Sequence, residues 1–219
     1  MGNLISADKI YWRSDNDSGY EVLNNINLEL KRNDFVVLRG PAGSGKTTLL
    51  KILCGRLRPS SGVLKYGEKN AGQVADPELK RIVSTIGYIP EEPVFMEKKN
   101  LYHNVEYALK LHNTPSGIIF DRALHFLKLT NLLSRRDVAP ENLSSLERKN
   151  LALTMVLASE PAIMMCDLNM TGREDEDDML RVLKNTTYRG SAVIATARPS
   201  SEVKSVRVKY IDIEDGKIK

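Results

Sequence analysis

The sequence predicts an α/β fold with a mostly parallel core sheet. Three observations carry that expectation. Short runs at 34–40 (DFVVLRG), 162–167 (AIMMCD) and 191–197 (SAVIATA) are continuously apolar, the pattern of strands buried on both faces. Helical patterns separate them, so successive strands need crossover connections, which within one sheet make parallel pairs. A long stretch, about 93–160, carries apolar residues at helical spacing, for example Leu124, Leu127 and Leu132, and reads as a helical insert between the first two runs.

The remaining elements follow in chain order. Between Tyr20 and Leu30, Ile26, Leu28 and Leu30 alternate with Asn27 and Glu29, the period of a half-exposed strand. TTLLKILCGRL reads as a helix closed by Pro59 and Gly62, and GVLKYG at 62–67 as a strand. RIVSTIGYIP at 81–90 reads as a strand stopped by Pro90. MLRVLKNT reads as a further helix, and VKYIDIEDGKI as a hairpin turning at Asp215 and Gly216. No repeat, low-complexity tract or long linker divides the chain, so one domain over 1–219 is expected, with a helical subdomain over about 93–160.

Composition narrows the classes. A chain of 219 residues with 42% hydrophobic and 27% charged residues can bury a core and is not a disordered tract. Thirty-two Lys and Arg against 28 Asp and Glu leave a net charge of +4, which permits nucleic acid without demanding it. The basic pairs Lys98-Lys99 and Arg135-Arg136 read as solvated surface, and the acidic run from Glu174 to Asp178 as an exposed helix start at a positive dipole end. Cys54 and Cys166 are flanked by apolar residues, so they read as small buried hydrophobes rather than a disulfide or zinc pair. No run approaches the roughly 18 apolar residues of a membrane helix.

The strongest signal is GPAGSGKTT: Gly40, Pro41, Ala42, Gly43, Ser44, Gly45, Lys46, Thr47 and Thr48, lying between a buried strand and a helix. Glycines at this spacing let backbone N–H groups turn inward toward phosphate oxygens while the helix presents its positive dipole end. Lys46 is placed to reach the β- and γ-phosphates of a bound nucleotide, and the Thr47 hydroxyl to bind Mg²⁺. A merely flexible glycine turn would not explain a lysine and two threonines opening a helix. Asp167, at the end of AIMMCD, supplies the partner carboxylate for Mg²⁺.

These residues, in this order around a helical insert, resemble the ATP-binding subunits of ABC systems, and the resemblance covers nearly the whole chain. It is nearest to the short FtsE/LolD/MacB-type subunits, with the compact length, NLYHNVEYAL and the ending soon after EDGKI pointing toward FtsE. The resemblance implies a P-loop NTPase fold of the ABC ATPase type: a mostly parallel core sheet, an antiparallel β-subdomain and a helical subdomain. It implies a membrane-embedded FtsX-like permease subunit as partner, contacted through a cleft lined from about Glu92 to Asn104, and a dimer that closes on ATP binding, a homodimer being expected and an asymmetric heterodimer the alternative. The chain would then be cytoplasmic, peripheral on the inner face of the plasma membrane, with no nucleic-acid partner.

Residue by residue, the chain departs from the family's pattern. The signature LSGGQ reads Leu143, Ser144, Ser145, Leu146, Glu147, so both glycines are gone and Ser144 is the contact left for an opposing γ-phosphate. Leu168 stands where the catalytic glutamate follows Asp167, Ala197 where the switch histidine follows the strand, and Glu91 where the Q-loop has glutamine. Glu91 is the remaining candidate ligand for Mg²⁺ or water. Asp175 matches the D-loop aspartate, and Tyr11 or Trp12 either stacks on adenine or packs within a strand. The groups acting on the γ-phosphate and its attacking water have changed while those holding the nucleotide have not. The expectation is ATP binding with slow or absent hydrolysis, since a missing base costs about 10²- to 10⁴-fold in rate. The alternatives are an active exporter ATPase of the lipoprotein or macrolide type, and a nucleic-acid-associated relative.

Overall fold

In the computed structural model, the structure describes residues 2–14, 19–170, 172–187, 190–203 and 208–219. Two sheets organise them. The first is antiparallel, in the order β2-β1-β4-β5, from β1 (Ile5–Arg13), β2 (Glu21–Leu30), β4 (Ser61–Tyr66) and β5 (Lys69–Asn70). The second runs β10-β9-β3-β8-β7-β6, from β3 (Phe35–Arg39), β6 (Ile86–Ile89), β7 (Ile163–Cys166), β8 (Ala192–Ala197), β9 (Val208–Glu214) and β10 (Lys217–Ile218). Its pairings are parallel except for the β9-β10 hairpin at one edge. That hairpin turns where expected, with Asp215 and Gly216 both in the left-handed region at φ 49° and 71°.

The continuous apolar runs form the centre of the parallel sheet because both faces are covered. On one face Phe35, Val37, Met164, Cys166, Val193 and Ala195 join a cluster with the helical subdomain. On the other, Val36, Leu38, Ile163, Met165 and Ile194 pack with α1 (Lys46–Leu53) and the antiparallel sheet. Alternate residues of each strand serve opposite cores, so every position is apolar. Cys54 and Cys166 are buried and free, as their surroundings predicted.

The insert holds α3 (Leu101–Leu111), α4 (Ser116–Leu129) and α5 (Ser145–Leu157). Thr130 and Thr154 join α4 to α5 through a buried hydroxyl pair at 2.6 Å. Asn104, expected to line a cleft, is instead wholly buried: its amide accepts from Met96 N at 2.9 Å and donates to the carbonyls of Met96, Lys99 and Asn100. It fixes the loop that enters α3.

Several expectations are corrected. Residues 81–83 end a helix, α2 (Asp76–Val83), and the strand begins only at Ile86. Pro77 in the first turn and acidic residues before basic ones match the helix dipole, and Leu79, Ile82 and Val83 recur at helical spacing against the core. The helix after the phosphate loop ends at Leu53, well before Pro59, because Gly55 adopts φ 72° and the Arg56 N–H returns to the Lys51 carbonyl. The acidic run opens α6 (Arg173–Thr187), yet Glu176 is buried, not exposed. Among the described residues, no helix is long and apolar enough to cross a membrane.

Candidate functional site

The C-terminal ends of β3, β7 and β8 meet at one edge of the parallel sheet, the edge where open α/β sheets bind ligands. The chain leaving β3 forms the loop at 40–48 and enters α1 at Lys46. Gly45 caps that helix at φ 96°, a conformation only glycine adopts freely, and no side chain occupies the helix's first N–H groups. A Cβ at Gly40 would fall 2.1 Å from the Ile213 carbonyl oxygen and 2.7 Å from Ser44 Oγ, so the loop closes only around a glycine there.

Lys46 lies across this loop. Its Nζ donates to the carbonyls of Gly40 (2.8 Å) and Pro41 (2.7 Å) and approaches Ser44 Oγ at 3.3 Å. Partial burial lowers its pKa, and the nearby carboxylates of Asp167 and Glu176 oppose that shift. Thr47 and Thr48 follow, partly buried, on the first turn of α1.

Asp167 is 1% exposed. Its Oδ1 accepts from Thr196 Oγ1 at 2.9 Å, and that same hydroxyl oxygen accepts the Leu168 N–H at 2.8 Å. Its Oδ2 is buried and has no hydrogen-bond partner among the described residues. A buried carboxylate oxygen left bare is costly, so the site fits a cation or its bound water there. Among the described residues, no three His, Cys, Asp or Glu gather into a metal cage. That is compatible with Mg²⁺, which is held by one or two protein oxygens together with phosphates.

The substituted positions are apolar in fact as well as in sequence. Leu168 is fully buried within the core cluster shared with the helical subdomain, and Ala197 is 3% exposed. Glu91 is exposed and accepts a hydrogen bond from Asn169 Nδ2, across the loops that follow β6 and β7. Ser144 does not stand free. It caps α5, its hydroxyl accepting from Glu147 N at 3.2 Å while Glu147 Oε2 accepts from Ser144 N at 2.9 Å. Asp175 lies in the first turn of α6, whereas Thr171 falls outside the described residues. Trp12 packs against the core beneath the antiparallel sheet, and Tyr11, on the neighbouring position of β1, is half-buried opposite Ser61.

Two residues carry the site without a signal in sequence. Lys149, 3% exposed on α5, donates to the carbonyls of Pro90 (2.7 Å) and Asp167 (2.6 Å), tying the signature helix to both loops of the site. A single lysine on a helix reads as surface, and nothing local distinguishes this one. Thr196 is a polar residue next to the end of an apolar strand, a faint sign at best. Beside them, Glu91, Val94, Phe95, Arg148 and Lys149 border a cavity of about 470 Å³ between the loop after β6 and α5. Arg148 spans its rim, bound to Glu97 at 2.7 Å, which raises the guanidinium pKa and lowers that of the carboxyl.

A family model described as ABC transporter matches residues 23–169. The chain belongs to the ABC transporter family. That match spans the phosphate loop, the helical insert and Asp167, and the fold is that of ABC ATPases. MJ0796, solved as a dimer bound to ADP and Pi, superposes with a TM-score of 0.80 at 22% identity, covering 98% of this chain and 96% of the other. The cell division ATP-binding protein FtsE of Bacillus subtilis is 25% identical over 97% of this chain and 93% of its own length. The methionine import ATP-binding protein MetN of Helicobacter pylori is 30% identical over 75% of this chain, which matches 49% of that longer protein.

Proposed function

We propose that this chain is the ATP-binding subunit of an ABC-type membrane complex, one that closes on ATP and Mg²⁺ with weak or absent hydrolysis. One observation supports it above the rest. A complete phosphate cradle stands beside a buried aspartate with a bare oxygen, while the two positions that should act on water and the γ-phosphate hold Leu168 and Ala197.

In this reading the N–H groups of residues 40–48 and Lys46 bind phosphate oxygens, and Thr47 and Asp167 hold Mg²⁺ directly or through water. When bound, Mg²⁺ neutralises phosphate charge. Lys46 leaves the Gly40 and Pro41 carbonyls to meet the phosphates. Thr196 holds Asp167 Oδ1 and leaves Oδ2 for the cation or its water. The Leu168 side chain cannot accept a proton from water, and Glu91, engaged by Asn169, is the acid at the family's Q-loop position able to take part. Binding energy alone can then bias a two-state partner.

The finer reading is an FtsE-like subunit. The near end-to-end match to Bacillus subtilis FtsE favours it over MetN, of which this chain spans about half. A homodimer on a membrane-embedded FtsX-like permease is the corresponding assembly, the cavity bordered by Val94 and Phe95 being the docking position. The test is titration of the purified chain with a fluorescent ATP analogue in the presence of Mg²⁺. Saturable binding that Lys46→Ala weakens at least about tenfold is expected, since a charge-assisted phosphate contact is lost. Unchanged affinity in that variant would reject the cradle.

A further inference from the structure

Every hydrogen-bonding atom of Asp167 but one is taken. Its backbone N–H donates to the Ile89 carbonyl at 2.9 Å, its Oδ1 accepts from Thr196 Oγ1 at 2.9 Å, and its carbonyl accepts from Lys149 Nζ at 2.6 Å. Only the buried Oδ2 lacks a partner among the described residues. Two of the three contacts are neutral and come from β6 and β8 of the same sheet. The third comes from a charged side chain on α5, outside the sheet, and it is the shortest.

Lys149 holds two loops at once. Besides Asp167, its Nζ donates at 2.7 Å to the carbonyl of Pro90, the residue immediately before Glu91. One ammonium therefore joins the main chain of Asp167 to the main chain entering Glu91, the two acids expected to ligate Mg²⁺ or its water. The residue is 3% exposed, and burying an ammonium is costly unless its N–H groups are paired. An apolar side chain of similar volume would close α5 onto the sheet without that cost. A positive charge beside a cation site also opposes the cation, so what Lys149 offers a metal is geometry and not charge. Charge-assisted bonds to two carbonyls supply it.

We infer that Lys149 is the positioning residue of the Mg²⁺ site, holding the main chain of Asp167 so that Oδ2 stays in place for the ion or its water. This deepens the ATP-binding reading and rests on it. Lys149 acts through the Asp167 carbonyl and supplies no ligand of its own. Loss of such an outer partner typically costs a metal site about ten- to a hundredfold in affinity.

The experiment titrates the full chain with a fluorescent ATP analogue at a series of Mg²⁺ concentrations and again in EDTA, for the unaltered chain, Lys149→Met and Lys149→Arg. In Lys149→Met, the Mg²⁺ concentration giving half of the metal-dependent gain in affinity should rise about tenfold or more, while affinity in EDTA stays within about twofold. Lys149→Arg, whose guanidinium can again donate to carbonyls, should recover part of the loss. A lysine that merely supports the fold would lower the unfolding temperature and leave the Mg²⁺ requirement unchanged, and that result would overturn the inference. So would tighter Mg²⁺ binding, the sign of a repulsion relieved, or equal losses with and without metal; all three leave the ATP-binding reading standing. If the unaltered chain binds no nucleotide, or binds it with no dependence on Mg²⁺, that reading fails and this inference with it. Should Lys149→Met not fold, Lys149→Gln, polar but one atom shorter, takes its place and the same comparison decides.

Discussion

At the scale of single residues, the site is set by positions where one atom more or fewer has no room. Gly40→Ala would drive a methyl group into the Ile213 carbonyl and Ser44 Oγ, neither of which can withdraw without opening the β9 edge or the loop. The expected outcome is a loss of about 1–3 kcal/mol or more, read by urea denaturation, together with loss of nucleotide binding. Leu168 presents the opposite problem. Leu168→Glu places a carboxylate in an apolar cluster, so the simple restoration of a base is not expected to restore turnover. Burial would hold that carboxyl above its unfolded pKa of about 4.3, so the variant's deficit should grow as pH rises past that value. Denaturation midpoints at acid and neutral pH check it; a pH-independent deficit would show that the new side chain reaches water. Lys149 works in the reverse sense. Burial lowers its pKa, so the native state releases that proton first and gains stability as pH climbs from the lowered value toward about 10.4. Lys149→Met removes this gain and leaves the Pro90 and Asp167 carbonyls without their donor, at a cost of about 1–3 kcal/mol. The gap between the unaltered chain and this variant should widen with pH across that window.

At the scale of elements, α5 carries the altered signature, and its start is held by chemistry unrelated to nucleotide. The Ser144 hydroxyl and Glu147 carboxylate cap one another's backbone, and Arg135 adds an ion pair to Glu147 at 3.3 Å. With Ser145 and Leu146 in place of two glycines, the loop is a well-formed helix start. Ser144→Ala should therefore lower stability by about 0.5–2 kcal/mol, visible as a fall of several degrees in thermal unfolding. A serine reserved for an opposing nucleotide would show no such fall. The other end of the helix is fixed by close approach: a Cβ at Gly87 of β6 would meet Val156 at 2.4 Å. Capped at one end, packed tightly at the other and bonded through Lys149 in between, α5 couples the helical subdomain to the ends of β6 and β7.

At the scale of the whole molecule, the function proposed above is that of a subunit that binds ATP and cleaves it slowly. Purified chain should release phosphate at well under about one turnover per second, the low end of ordinary enzymes, even when saturated with Mg²⁺ and ATP. Faster release would point to Glu91, and Glu91→Gln would then abolish it. Light scattering should show a dimer with ATP and a monomer without it, and Lys46→Ala should remain monomeric in both conditions.

Local pattern determined much of this protein. The glycine spacing at 40–48, the doubly buried strands and the apolar run ending in Asp167 are sequential signals, because backbone turns and strand burial are set by near neighbours. Leu168 and Ala197 could likewise be recognised as apolar from the chain alone. What lay beyond reach were the partners of charged and polar side chains. Lys149 and Glu176 look like surface residues, since helix position says nothing of which loop will close over them. Arg198 looks like an arbitrary loop cation until Glu176 is brought beside it from α6. Ser144 looks available until its own helix takes its hydroxyl. Each of these depends on contacts between segments far apart in the chain, or on how a side chain is shared with its own backbone. Only the folded structure decides such partners, because burial of a charge is tolerated just where tertiary packing supplies its counterpart.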